Sequence, residues 1–155
     1  MAHVNLSVMT TDEKSAAALR VTIARIYRAL RLSTSSGITP SQVSVLFRVE
    51  QSEPVRMGVL AHLERITPAT LSKVIDSLEA LELVERDPDP LDGRVTLIRV
   101  SKTGRRLIET QRAATTRALG VALAKMDGAQ RDLLLESLPA LEGLAEILLA
   151  HGEDS

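Results

Sequence analysis

The sequence predicts a mainly α-helical protein with one small β-hairpin, and two observations carry this prediction. Along most of the 155 residues, apolar side chains recur every three to four positions, which is the spacing of one helix face. Between residues 83 and 100 the spacing shortens to about two, as in paired strands. Because Tyr27 and Phe47 are the only aromatic residues, the core must consist of Leu, Ile, Val and Ala.

Three helices are predicted in the first part of the chain. The first covers residues 11–34. The second begins near Thr39 and Pro40, where a proline in the first helical turn costs no hydrogen bond, and it ends at about Gln51. A short third helix follows the break at Pro54. The apolar positions that define these helices are Leu19, Ile23, Ile26, Leu30, Val43, Leu46, Val59, Leu60 and Leu63.

A fourth helix and a hairpin come next. The helix begins at Thr67, a favourable N-cap residue, with Pro68 in the first helical position. Short strands are predicted over residues 83–86 and 95–100. The segment between the strands is polar, and its two prolines should prevent strand pairing, so that it protrudes as a loop. The helix is predicted to end at Leu81. Its predicted buried face consists of Leu71, Val74, Ile75 and Leu78, and Leu81 and Leu83 are expected to close this face.

The C-terminal part returns to a helical pattern. Ser101 and Gly104 begin a long helix that runs to about Lys125. A last helical region follows over residues 128–150. Pro139 should kink or split it, because proline lacks the N–H group that a helix interior requires.

We predict a single domain over residues 1–155, organised around a lobe at residues 39–100. The terminal helices, at residues 11–34 and 102–150, have apolar faces too broad for this lobe to cover. Packing against a second copy of the chain in a closed two-fold dimer would bury them, so these segments are predicted to be dimerisation helices.

Composition excludes several classes of function. Without cysteine the chain has no disulfide or thiolate metal site, and its histidines at positions 3, 62 and 151 are scattered, so no metal is expected. No phosphate-binding loop, nucleophile elbow or zinc motif is present, so we predict neither an enzyme nor a cofactor. Because no apolar run reaches about 18 residues and no signal-peptide pattern occurs, we expect no membrane segment and a cytoplasmic location.

The net charge of −1 is unevenly distributed along the chain. Residues 125–155 contain two basic and seven acidic residues, so the remainder of the chain carries a charge of +4. Nucleic-acid binding depends on local patches of positive charge, and this distribution is compatible with it.

The element order is that of a winged helix-turn-helix, in which a helix enters the DNA major groove and a hairpin lies beside it. The outward face of the fourth helix is small and polar, so the backbone can approach the bases. Its N-terminus, at Thr67 and Pro68, presents backbone N–H groups to phosphate. An ordinary amphipathic helix with an N-cap is the alternative. The predicted base-facing or phosphate-facing residues are Ala69, Thr70, Ser72 and Lys73.

Three charged residues mark the hairpin. Arg94 is predicted to enter the neighbouring minor groove, where narrow A·T-rich stretches attract arginine. Asp92 is expected to hold Arg94 or the loop in shape, and Arg86 at the base of the hairpin to bind phosphate. The alternative for both arginines is a solvated surface position.

Four motifs within about fifty contiguous residues form one recognisable pattern. They are Leu60-Ala61-x-Leu63, Thr67-x-x-Thr70-Leu71-Ser72-Lys73-x-Ile75-x-x-Leu78, Leu83-Val84-Glu85-Arg86-x-Pro88-x-Pro90-x-Asp92-x-Arg94 and Ser101-x-x-Gly104. This pattern resembles the MarR family of bacterial transcription regulators, and the flanking helix order extends the similarity over the whole chain.

The resemblance implies a homodimer, clasped by its terminal helices, that binds a pseudo-palindromic double-stranded operator. It implies that the Thr67 helix reads the major groove and that Arg94 enters the minor groove. It further implies a repressor that is released by a small aromatic or lipophilic anion. A winged-helix dimer that serves as an interaction or structural module, without reading DNA sequence, is the alternative function.

Three residues depart from the family pattern. Arg65 and Glu82 stand where the family often has glycine, so two turns must close without the residue that best tolerates positive φ. Gly93 stands where a second wing arginine is frequent, which predicts a more mobile tip and a weaker minor-groove contact.

The ligand-binding residues are less clearly indicated. Tyr27, Arg28, Arg31 and Phe47 are candidate walls of a pocket for an aromatic anion. Packing of the two aromatic rings in the core, with solvated arginines, is the alternative.

Overall fold

The computed structural model describes residues 11–33 and 37–153, and the described part contains seven α-helices and one three-stranded sheet. The chain divides into two compact units, up to Thr115 and from Thr116 onward. The helices are α1 (Thr11–Ser33), α2 (Pro40–Ser52), α3 (Met57–Leu63), α4 (Pro68–Ala80), α5 (Lys102–Ala124), α6 (Gly128–Glu136) and α7 (Leu138–Glu153). The strands are β1 (Val55–Arg56), β2 (Val84–Pro88) and β3 (Thr96–Val100).

The sheet is antiparallel, with strand order β1-β3-β2. The hairpin β2–β3 was predicted from the sequence, whereas β1 was not, because a two-residue strand is too short to show a period of two. β1 pairs Val55 with Ile98 and therefore joins the start of α3 to the hairpin.

The prediction that both prolines prevent strand pairing was wrong at Pro88. Pro88 is the last residue of β2 and lies opposite Thr96. A proline is compatible with this position because β2 is an edge strand, in which the missing N–H can point away from the sheet. The loop of the hairpin therefore begins at Asp89, two residues later than the predicted start at Asp87.

The core of the first unit is aliphatic, as the composition predicts. The predicted buried face of α4 is confirmed, with Val74 only partly buried and packed against the core. Leu81, which was expected to close this face with Leu83, is instead the exposed C-cap of α4, and Leu83 alone is buried. The largest fully buried side chains are Val45, Leu46, Val49, Leu60, Leu71, Ile75, Leu78, Ile98 and Ile108.

The two turns that flank α4 have the same unusual backbone. Arg65 has φ 52° and Glu82 has φ 57°, in the left-handed region that favours glycine. At the end of each helix, the N–H of this residue donates to the carbonyl three residues earlier, as in a Schellman motif. The Arg65 N–H bonds the His62 carbonyl, and the Glu82 N–H bonds the Glu79 carbonyl. The prediction that these turns close at positive φ without glycine is confirmed.

The second unit is the end of α5 together with α6 and α7. The predicted break at Pro139 is confirmed: α6 ends at Glu136, and Pro139 is the second residue of α7, where it removes no helical hydrogen bond. Large apolar side chains on both helices are exposed, as are several on α1 in the first unit. That residues 1–155 form a single domain and that the terminal helices mediate dimerisation both stay predictions. Thr34, the predicted end of the first helix, lies outside the described residues.

Candidate nucleic-acid interface

Helix α4 starts with a strong cap. Thr67 has an extended backbone, and its hydroxyl accepts a hydrogen bond from the Thr70 N–H at 3.2 Å, while Pro68 occupies the first helical position. The Thr67 and Thr70 hydroxyls are 2.9 Å apart and also hydrogen bond to each other. Because one of these hydroxyls must donate to the other, the second hydroxyl keeps its proton for a further acceptor. The cap therefore fixes both threonine side chains at the tip of the helix.

The outward face of α4 is accessible. Ala69, Thr70 and Lys73 are exposed and Ser72 is half-buried, so the predicted base-facing residues lie at the surface.

A hydrogen bond of 2.6 Å between the Gln42 amide and the Ser77 hydroxyl joins α2 to α4. Gln42 also completes a capping box with Thr39. The sequence analysis did not identify Gln42, although the pattern Thr39-x-x-Gln42 is a sequence signature of a capping box.

We call the hairpin β2–β3 with its loop the wing, and the tip of the wing is organised around Asp89. Its carboxylate is only 6% exposed; it accepts a hydrogen bond of 2.9 Å from the Leu91 N–H and one of 2.7 Å from the Arg56 guanidinium. The Leu91 N–H, opposed by partial burial and assisted by Arg56, holds the pKa of Asp89 below its usual value. Sequence reasoning missed this residue, although an Asp that bonds the backbone two residues later is a recognised turn signal.

Asp92 and Arg94 complete the wing tip. The Asp92 carboxylate accepts a hydrogen bond from the Arg94 N–H at 3.1 Å, and the Val95 N–H bonds the Asp92 carbonyl at 2.9 Å. Asp92 therefore contacts the backbone of Arg94 and shapes the loop. Within residues 11–33 and 37–153, the Arg94 side chain forms no ion pair.

Arg86, at the base of the wing, faces helix α4. Its guanidinium forms ion pairs with Asp76, at 2.5 Å, and with Glu79, at 3.3 Å. Arg86 is therefore an ion-paired surface residue, and the phosphate contact expected from the sequence stays a prediction. The two carboxylates were not identified as its partners because they lie on a different element.

The wing and helix α5 meet at a close backbone contact. The Ser101 hydroxyl donates to the Glu82 carbonyl at 2.5 Å and accepts from the Gly104 N–H at 2.9 Å, so it caps α5 and holds the turn after α4. A Cβ atom at Gly104 would lie 2.1 Å from the Leu83 carbonyl oxygen. Glycine is therefore required at this position by space, with no role for an unusual φ.

The predicted ligand-binding residues form two separate contacts. Tyr27 is 62% exposed on α1, and Arg31 lies over its ring at 5.9 Å. Phe47 is partly buried against the core, and Arg112 lies over its ring at 5.6 Å. Core packing is therefore confirmed for Phe47 and wrong for Tyr27. Arg28 is exposed on the same helix as Tyr27.

Two further properties of the described residues bear on function. They contain no cluster of three or more His, Cys, Asp or Glu side chains that could hold a metal ion. His3 and the side chain of His151 lie outside the described residues. In the described part of the chain, no helix combines the length and apolarity needed to span a bilayer.

Comparison with known proteins assigns the family. A sequence profile of the MarR family matches residues 38–96. An HTH-type transcriptional regulator of Mycobacterium bovis is 32% identical over 149 residues, which cover 96% of this chain and 99% of the relative. A transcriptional regulator structure from Pseudomonas aeruginosa superposes with a TM-score of 0.78 at 30% identity, covering 88% of this chain and 97% of the other.

A mutant of MepR from S. aureus, solved bound to an oligodeoxyribonucleotide, shares the fold. Its TM-score is 0.65 at 16% identity, and the match covers 84% of this chain and 97% of MepR. The chain therefore belongs to the MarR family of winged helix-turn-helix transcription regulators.

Proposed function

We propose that this regulator is a cytoplasmic homodimeric repressor that binds a specific operator through α4 and the tip of the wing. One observation supports the assignment most directly. Lys73 on α4 and Arg94 on the wing form no ion pair among the described residues, whereas the nearby Arg56, Arg86 and Arg99 are all paired with carboxylates. A cation without a partner is available to phosphates and base edges without first breaking an ion pair.

Helix α4 is proposed to read the major groove. Thr70 and Ser72 supply hydroxyls that donate to or accept from base edges, and Ala69 allows contact with a thymine methyl group. Lys73 reaches either a guanine edge or a phosphate. The capped N-terminus at Thr67 and Pro68 directs the positive end of the helix dipole towards the DNA backbone.

The wing is proposed to place Arg94 in the minor groove. Because Asp89 and Asp92 both bind backbone N–H groups of the loop, the tip holds a defined shape despite Gly93. An arginine on such a tip is attracted by the enhanced negative potential of a narrow minor groove.

The test is a titration of the chain with duplex DNA from its own promoter, followed by fluorescence anisotropy at several salt concentrations. We expect site-specific binding, with affinity that falls steeply as salt rises. Arg94→Ala should weaken binding while its melting temperature stays at the wild-type value, because the side chain is exposed and unpaired. Equal affinity for promoter and random duplex would contradict the proposal and would fit a winged-helix module that does not read sequence.

The proposed dimer is supported by exposed apolar surface on each unit separately. In the first unit α1 exposes Leu19, Ile23 and Ile26, and in the second unit α7 exposes Ile147 and Leu148. Surfaces of this kind mark protein–protein contacts. Light scattering should give about twice the chain mass of 16.8 kDa, and a two-fold dimer requires a pseudo-palindromic operator.

Release by a small aromatic or lipophilic anion is also proposed. The support is an exposed tyrosine ring beside Arg31, with Arg28 on the same helix. Because the chain has one tyrosine and no tryptophan, its intrinsic fluorescence reports on Tyr27 alone. Titration with benzoate should change this emission and weaken promoter binding, and Tyr27→Leu should remove the effect on DNA binding. A benzoate response that survives in Tyr27→Leu would place the ligand elsewhere.

A further inference from the structure

Arg86 connects the recognition helix to the wing through two carboxylates on one face of α4. Its Nη2 contacts Asp76 Oδ1 at 2.5 Å, and its Nε contacts Glu79 Oε2 at 3.3 Å. Asp76 and Glu79 are three residues apart, which places them on one side of the helix. The Arg86 side chain is only 31% exposed. One guanidinium therefore joins β2 to α4 through two of its nitrogen atoms.

The charge of α4 gives this contact a consequence for DNA binding. The helix contains one lysine, Lys73, and the two carboxylates Asp76 and Glu79, so that on its own it is negatively charged. A helix that enters the major groove lies between two rows of phosphates, and unpaired carboxylates on it would be repelled. Arg86 supplies the positive charge that balances them.

We propose that Arg86 is a positioning residue that fixes α4 against the wing and neutralises Asp76 and Glu79, and that it does not act as a phosphate ligand. This inference rests on the proposed function, since it concerns the same DNA-binding surface. It replaces the phosphate contact that the sequence alone predicts for Arg86. The DNA-contacting cations are then Lys73 and Arg94, which have no ion-pair partners in the described structure.

A double-mutant cycle distinguishes the two roles. Promoter affinity is measured for the wild type, for Arg86→Ala, for the pair Asp76→Ala with Glu79→Ala, and for all three substitutions together. Because residues in one ion-pair network couple, Arg86→Ala should lower affinity about tenfold in the wild-type background and by at most about twofold when both carboxylates are absent. A phosphate ligand would instead give the same loss in both backgrounds, and the slope of log affinity against log salt would fall by about 0.9 in each.

Two further variants strengthen the test. Arg86→Lys keeps the charge but loses the planar fork that reaches two carboxylates, so it should lose most of the affinity that Arg86→Ala loses; a simple phosphate contact would be largely retained by lysine. Arg99→Ala is the matched control, because Arg99 pairs at 3.3 Å with Asp87 inside the wing and forms no ion pair with α4 among the described residues. Its effect should be the same with and without Asp76 and Glu79.

The outcomes separate this inference from the proposed function. If the wild type shows no preference for promoter over random duplex, the proposed function fails. If the wild type binds its promoter but the Arg86 cycle is additive, the proposed function stands and the positioning role is overturned. Thermal melts of each variant confirm folding, which the small contribution of exposed ion pairs should leave intact.

Discussion

Replacing Gly104 by alanine should destabilise the first unit, although the same change in most helices is stabilising. Gly104 lies in the first turn of α5, where that turn passes over the end of α4 and the start of β2. The added methyl group would lie 2.1 Å from the Leu83 carbonyl oxygen and 2.8 Å from a methyl group of Val100. The first distance is about 1.2 Å shorter than the closest ordinary C···O approach, and the oxygen belongs to the backbone.

The expected magnitude follows from three contributions. Overpacking at a rigid site costs about 1–3 kcal/mol. Moving α5 away from Leu83 also strains the Ser101 cap, and loss of such a cap costs about 1 kcal/mol. Higher helix propensity of alanine opposes these costs by at most about 1 kcal/mol. The net loss of about 2 kcal/mol corresponds to a melting temperature lower by about 4–8 °C for a chain of this length.

Differential scanning calorimetry of Gly104→Ala and of the control Gly58→Ala provides the measurement. Gly58 is also helical, in α3, and a Cβ atom there would meet nothing within 4 Å. Its substitution should leave the melting temperature unchanged or raise it. A Gly104→Ala chain that melts at or above the wild-type temperature would refute the assignment of Gly104 to a backbone contact.

Three more predictions concern the turns, the wing and α4. Glu82→Gly should raise the free energy of unfolding by about 1 kcal/mol, because it removes the left-handed strain at φ 57°, while Glu85→Gly in the neighbouring strand should lower it; denaturant titrations compare them. Asp89 has a lowered pKa in the folded state, so its stabilisation is complete above its unfolded pKa and is lost as pH falls through the folded pKa; the melting temperatures of wild type and Asp89→Asn should therefore differ at neutral pH and converge in acid. Lys73→Ala should weaken promoter binding. If the slope of log affinity against log salt falls by about 0.9 for every DNA sequence, Lys73 contacts a phosphate. If instead the preference at one base pair relaxes, Lys73 reads a base. No change in either quantity would remove Lys73 from the interface.

Local chemistry explains which elements could be predicted from the sequence. The bounds predicted for the fourth helix, Thr67 to Leu81, enclose the observed Pro68–Ala80, because a threonine–proline start and an apolar period are both local signals. The break near Pro139 and the strained turns at Arg65 and Glu82 were likewise predictable, since each depends on what one residue can do with its own backbone.

Contacts between distant residues could not be predicted in the same way. Arg56 and Asp89 are 33 residues apart, and Arg86 reaches back ten residues to Asp76. No periodic pattern joins such pairs, and an arginine on a strand has several acids within reach of its long side chain. The partners of Arg86 therefore depend on how α4 lies beside β2, which is a property of the fold and not of the local sequence. The prediction that Pro88 prevents strand pairing was wrong for a similar reason, because only the sheet order shows that β2 is an edge strand.

The Ser101 hydroxyl has a mechanical consequence. It bonds the Glu82 carbonyl in the turn after α4 and the Gly104 N–H in the first turn of α5, while the Ser101 N–H bonds the Leu83 carbonyl at 3.1 Å. Three elements are thus pinned at one point. A displacement of the first turn of α5 would be transmitted to the backbone at Leu83, between α4 and β2, and α4 and the wing would then move together as one rigid body.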